Sequence, residues 1–176
     1  TLLTLARLEK RKGHKHIILS IKEIIKNFPE LQYIIAGDGP EKKTLKDFVE
    51  KHNLNQNIKF VGTINDNQKK YIFSKTDLMI MPTLDETKKN SIEGFGIAYL
   101  EAAFFGIPSI ASNIGGTPEA VLHKKTGIII EKIEELSGTL NDLLHDQNFL
   151  KELGINAKNR AIHNFDWSKV AKKYLI

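Results

Sequence analysis

Apolar positions along the chain follow two rhythms, short continuous runs and stripes of helical spacing. Thr1 to Ala6 is apolar and β-tolerant, which predicts a first strand, and Arg7 to Gly13 follows it as a charged loop. From His14 to Asn27 apolar residues recur at Ile17, Ile18, Ile21, Ile24 and Ile25 and on to Phe28, a helical stripe that Pro29 stops. Leu31 to Ala36 predicts a second strand and Gly37-Asp38-Gly39-Pro40 a turn. Leu45, Phe48 and Val49 give the next helix its apolar face. Ile58 to Val61 reads as a strand ending at Gly62, Gln68 to Ser74 as a short helix, and Asp77 to Met81 as a strand closed by Pro82. A long polar loop, Thr83 to Asn90, precedes a helix over Gly96 to Phe105 and a strand at Ser109 to Ala111. Gly115-Gly116-Thr117-Pro118 is a glycine turn with proline at a first helical position, and Gly127 to Ile130 is a last strand. The remainder reads as helical, over about Ile133 to Leu144, about Asn148 to His163, and from Trp167.

Six strands, each followed by a helix or turn, predict an α/β fold with a doubly wound parallel, Rossmann-like sheet. Ligands bind such sheets at the carboxyl ends of the strands. The stretch Ser91 to Ala103, with glutamates at 93 and 101 around a Gly-Phe-Gly turn, falls at that edge. The longest apolar runs are strand-sized, far short of the roughly 20 residues a membrane helix needs. No signal-peptide pattern opens the chain, and its start at Thr1 without a methionine reads as a fragment cut at a strand. With no cysteine, disulfides, thiolate metal sites and cysteine nucleophiles are excluded. The net charge of +5 comes almost entirely from lysine, part of it in scattered pairs, which reads as solvated surface; the alternative is a basic face for an anionic membrane or nucleic acid.

The chemistry then concentrates on few residues. Backbone N–H groups at a helix N-terminus carry partial positive charge, and glycines let a ligand come close, so Gly94 and Gly96 read as a phosphate cradle or as a simple tight turn. Glu101 lies about five residues into the helix, roughly 7–8 Å along its axis, near the distance from a bound diphosphate to its ribose. The alternative is an exposed or ion-paired helix glutamate. Glu93, repelled by a diphosphate, would face a sugar hydroxyl, or serve only the helix dipole. Arg7 and Lys12, on the loop after the first strand, offer a fork and a point charge for phosphate oxygens. Lys10 and Arg11 are equally charged, and spacing does not choose among the four. His14-x-His16 has no further ligand nearby and reads as surface histidines. The chain has no Asp-x-Asp pair, no Walker loop and no nucleophile elbow.

Taken in order, these pieces resemble the C-terminal, donor-binding half of a family 4 retaining glycosyltransferase of the GT-B architecture. The pieces are Ala6-Arg7-Leu8 with Lys12-Gly13, Ala36-Gly37-Asp38-Gly39-Pro40, Phe60-Val61-Gly62, Pro82, Glu93-Gly94-Phe95-Gly96 with Glu101-Ala102, Gly106-Ile107-Pro108, and Gly115-Gly116-x-Pro118-Glu119. The resemblance implies that Arg7 and Lys12 grip the diphosphate as leaving group and Glu93 meets the donor sugar. It places sugar and phosphate on the backbone amides around Gly94, at Phe95, Gly96 and Ile97, with ribose on Glu101 and the base against the backbone of Val61. It implies a nucleotide diphosphate sugar as donor, no metal or other cofactor, and a lipid or polysaccharide acceptor of the bacterial cell envelope. It implies no nucleic-acid partner, and a cytoplasmic location with peripheral contact at the inner face of the membrane. Residues 1–164 would be the donor domain and 165–176 a segment crossing to an N-terminal acceptor domain absent from this chain, leaving this half inactive alone. The loop after Pro82 is longer than the family's usual link and resembles the branch that builds phosphatidylinositol mannosides, a pointer to mannose. Ala6 stands where the family usually has glycine. A nucleotide-sugar epimerase of the same architecture and a non-catalytic membrane scaffold are the alternative readings.

Overall fold

The computed structural model describes residues 1–85 and 94–165. The six apolar runs form β1 (Leu2–Leu5), β2 (Tyr33–Ala36), β3 (Ile58–Gly62), β4 (Leu78–Met81), β5 (Ser109–Ser112) and β6 (Gly127–Ile130). All pair in parallel, in the order β3-β2-β1-β4-β5-β6. Interior strands such as β4 are buried on both faces, which is why they read as unbroken apolar runs, whereas the edge strand β3 alternates. The helices are α1 (His14–Ile24), α2 (Lys42–Lys51), α3 (Asp66–Phe73), α4 (Ile97–Phe104), α5 (Thr117–Ala120), α6 (Leu136–His145) and α7 (Gln147–Asn164).

Two apolar layers cover the sheet. On one face Ile17, Ile18 and Ile21 of α1 and Leu136 and Leu140 at α6 pack on Leu2, Tyr33 and Leu78. On the other, Phe73, Tyr99 and Ala102 pack on Leu3, Met79 and Met81. Small side chains, Ala103, Ala157 and Ala161, let α7 lie close against α4. The chain builds β1 to β3 outward in one direction, then returns to the free side of β1 for β4. The direction of growth therefore reverses between β1 and β4, the place where open α/β sheets leave a crevice.

The element boundaries differ from the sequence reading in ways that have local causes. The α1 stripe ends at Ile24, because the N–H groups of Asn27 and Phe28 both turn back to the Ile24 carbonyl. The charged loop after β1 contains a 3-10 turn, Lys10–Lys12. Helix α3 begins at Asp66, because the Asn65 side chain accepts from Gln68 N–H at 2.9 Å while Gln68 accepts from Asn65 N–H at 2.9 Å. The helix predicted from Trp167 lies outside the described residues.

A polar contact ties the reversal point together. Thr4, buried in β1, bonds the Tyr33 hydroxyl at 2.7 Å and donates to the Ile80 carbonyl, so one side chain joins β2, β1 and β4. Burial pushes the Tyr33 phenol well above its ordinary range, so it stays neutral. Thr4→Val keeps the shape and leaves a buried hydroxyl without its partner. A loss of about 1–3 kcal/mol in urea unfolding is expected.

Candidate functional site

The loop after β1 is shaped by a backbone contact. Gly13 closes the 3-10 turn with φ +71°, and a Cβ there would sit 2.3 Å from the Pro82 carbonyl oxygen. The loop after β1 thus lies directly on the end of β4, and Leu84 N–H donates to the Arg11 carbonyl at 2.7 Å. This packing separates four charges that the sequence left equivalent. Lys12 is 9% exposed, Arg11 is largely covered, and Lys10 faces solvent. The Arg7 side chain is 75% exposed, and its guanidinium reaches Glu9 at 3.2 Å. Glu9 also faces Arg11 at 3.8 Å.

The glycine turn meets the same strand end. Gly96 adopts φ +79°, and a Cβ there would lie 2.5 Å from the Tyr99 ring. The Tyr99 ring is buried beneath the turn, and its hydroxyl donates to the Met81 carbonyl at 2.6 Å. Helix α4 starts at Ile97, and Tyr99 N–H turns back to Gly96 at 2.9 Å. Among the described residues nothing accepts from the N–H groups of Phe95, Gly96, Ile97 or Ala98. These donors and the Lys12–Gly13 loop share the carboxyl end of β4. Glu93 lies outside the described residues, as does most of the loop after Pro82.

Glu101 projects from α4 and accepts a hydrogen bond from Lys69 Nζ at 2.6 Å; both side chains are about two-thirds covered. Lys69, on α3, also faces Asp66 at 3.5 Å. The bond to Glu101 raises the Lys69 pKa and keeps it cationic. Residues Asp66, Lys69, Phe73, Glu101 and Phe104 line an open cavity of about 310 Å³. Lys69 reads in the sequence as half of a solvated lysine pair. The local signal that sets its direction is the Asn65-x-x-Gln68 cap, which fixes the phase of α3. Val61 is 41% exposed at the end of β3, on the same edge of the sheet but two strands from β1.

His14 is a correction to the surface reading. It is 2% exposed beneath the β1 loop, with Nε2 3.2 Å from the Arg7 carbonyl. Burial lowers its pKa to about 4, and nearby Lys12 adds to the effect. The neutral ring that donates from Nε2 to Arg7 helps fix the loop. Because the unfolded chain protonates at about 6.5 and the folded one at about 4, the unfolded state binds more protons between those values. Stability is therefore whole above pH 6.5 and falls as pH drops toward 4, by about 3 kcal/mol. Urea midpoints measured across that window should show the fall, and His14→Gln should flatten it.

The family model described as Glycosyl transferases group 1 matches residues 1–160. A GDP-mannose-dependent alpha-(1-6)-phosphatidylinositol monomannoside mannosyltransferase from Mycolicibacterium smegmatis is 29% identical over 93% of this chain and 43% of its own length. The chain thus spans less than half the length of such relatives. The C-terminal domain of a glycosyl transferase group 1 family protein from Francisella tularensis superposes with a TM-score of 0.82 at 21% identity, covering 94% of this chain and 86% of that one. The Anabaena protein HepE in complex with UDP and glucose superposes with a TM-score of 0.84 at 23% identity, covering 98% of this chain and 46% of that one.

Proposed function

The chain belongs to the group 1 glycosyl transferases, and from that premise we propose that it is the donor-binding half of an enzyme that transfers a sugar from a nucleotide diphosphate sugar with retention of configuration. One observation carries the reading. The N–H groups at the start of α4, which have no acceptor among the described residues, and the cationic loop Arg7–Gly13 both lie at the carboxyl end of β4, at the reversal point of the sheet. A helix N-terminus supplies only about half a positive charge, so a leaving diphosphate needs side-chain cations as well. In this reading buried Lys12 supplies the fixed charge and exposed Arg7 the one that reaches in. Both stabilise the charge that builds as the bond between the sugar's anomeric carbon and the diphosphate oxygen breaks. The acceptor hydroxyl oxygen forms the new bond to that carbon on the same face, and its proton leaves with the diphosphate.

Glu93 is assigned to the donor sugar's hydroxyls on the strength of its motif. The amides of Phe95, Gly96 and Ile97 hold sugar and phosphate. Glu101 takes the ribose, with Lys69 already holding one of its oxygens, and the backbone of Val61 meets the base. The cations are the protein's own, and no metal is assigned a role. The mannosyltransferase relative supports GDP-mannose as donor and a phosphatidylinositol mannoside, a lipid, as acceptor. The UDP complex of HepE makes UDP the competing nucleotide. An N-terminal acceptor domain would complete the cleft, so this half alone binds donor weakly and turns it over little. Calorimetry with GDP, UDP and ADP tests the reading. One of them should bind, and Arg7→Ala and Glu101→Ala should each weaken it about tenfold, or about 1.4 kcal/mol. No heat from any nucleotide at millimolar concentration would contradict the proposal.

A further inference from the structure

Helix α7 returns at its C-terminal end to the glycine turn. Arg160, on its last turns, donates from Nη1 to the Ala120 carbonyl at 2.8 Å and from Nη2 to the Glu119 carbonyl at 2.5 Å. These carbonyls end α5, so the guanidinium caps that helix. The same guanidinium carbon lies 4.7 Å from the centre of the Phe165 ring, which sits just beyond α7. Phe165 meets Phe95, in the middle of the glycine turn, with ring centres 5.6 Å apart and planes at 56°. At the other end of α5, Gly116 N–H donates to the Gly94 carbonyl at 2.7 Å. A Cβ at Gly116 would lie 2.2 Å from that oxygen, so only glycine permits the approach.

These contacts form a closed loop through Phe95, Phe165, Arg160, α5, Gly116 and Gly94. Among the described residues, a Cβ built at Gly94 would touch nothing within 4 Å. Tyr99 fixes the Gly96 side of the turn, whereas glycine on both sides of Phe95 leaves the backbone more conformational freedom than other residues would, and small displacements of anion donors are costly to binding. We infer that Arg160 and Phe165 are positioning residues that hold the Gly94-Phe95-Gly96 turn in register, so that the α4 amides face a bound diphosphate. Arg160 acts at a distance from the ligand: it stacks on Phe165 and anchors α5, which in turn holds Gly94. The idea rests on the donor-site reading for its functional half, whereas its structural half stands on the contacts alone.

Residue-resolved amide exchange on the intact chain separates the two. Gly116 N–H, bonded to Gly94, and Tyr99 N–H, bonded to Gly96, report directly on the turn. Phe165→Ala and Arg160→Lys should each speed exchange at these amides about tenfold while leaving the β2 amides unchanged. Phe165→Tyr, which keeps the ring, should restore protection. Affinity for whichever nucleoside diphosphate the unsubstituted chain binds should fall about fivefold in the first two variants and recover in the third. Exchange at Gly116 and Tyr99 unchanged in both variants would overturn the inference whatever the nucleotide affinity. Faster exchange with undiminished affinity would overturn the role in donor binding. Failure of the unsubstituted chain to bind any nucleotide would instead sink the donor-site reading while the exchange result still judged the clamp.

Discussion

The ladder between β1 and β4 is the constraint on which the site depends. Leu2 with Leu78 and Leu3 with Met79 pair across it, so the backbone ladder itself ends there. Growth of the sheet reverses here, and the loops from both strands are thrown to the same edge. Two close contacts then lock them. Thr4 joins β1 to Tyr33 and to Ile80 within the sheet. Above it, Gly13 lies on the Pro82 carbonyl so closely that no side chain fits. The cationic loop rests on the end of β4 through Gly13, and the α4 N-terminus is tied to the same end through Tyr99 and the Met81 carbonyl.

Charge placement follows from that packing. The partial charge at one helix end is only about half an elementary charge, and the loop after β1 sets a covered lysine and an exposed arginine at the same edge of the sheet. His14 beneath the loop stays neutral, which avoids a further buried positive charge next to Lys12. Glu101 does not wait as a free carboxylate; Lys69 holds one oxygen at 2.6 Å. A carboxylate oriented in this way loses less freedom when it accepts from a ligand hydroxyl.

The fold was largely legible in the sequence, because fully buried parallel strands write themselves as unbroken apolar runs such as Leu78 to Met81, and because Gly62 and Pro82 mark strand ends. Helix ends were less legible: α1 tightens after Ile24 through backbone bonds that no residue type announces, while the start of α3 was written in the Asn65–Gln68 pair. At the site, the glycine turn and the cationic loop could be read from spacing. The differing exposure of Arg7, Lys10, Arg11 and Lys12 could not, because it depends on how the loop packs. The pairing of Lys69 with Glu101 joins residues 32 positions apart on different helices, and the ring contact between Phe95 and Phe165 spans still more of the chain. No local pattern encodes such meetings. His14 misled for the same reason, since a polar residue at a helix start gives no sign that a loop will close over it.

The central claim is that the diphosphate of a nucleotide sits between the β1 loop and the α4 N-terminus. Backbone amide shifts followed by NMR while GDP, and in parallel UDP, is titrated into the chain test it most directly. The account predicts that the largest shifts fall at Lys12, Gly13, Gly96 and Ile97, with smaller ones at Val61 and Glu101. Shifts concentrated at the opposite edge of the sheet, around Gly106 and Lys158, would contradict it.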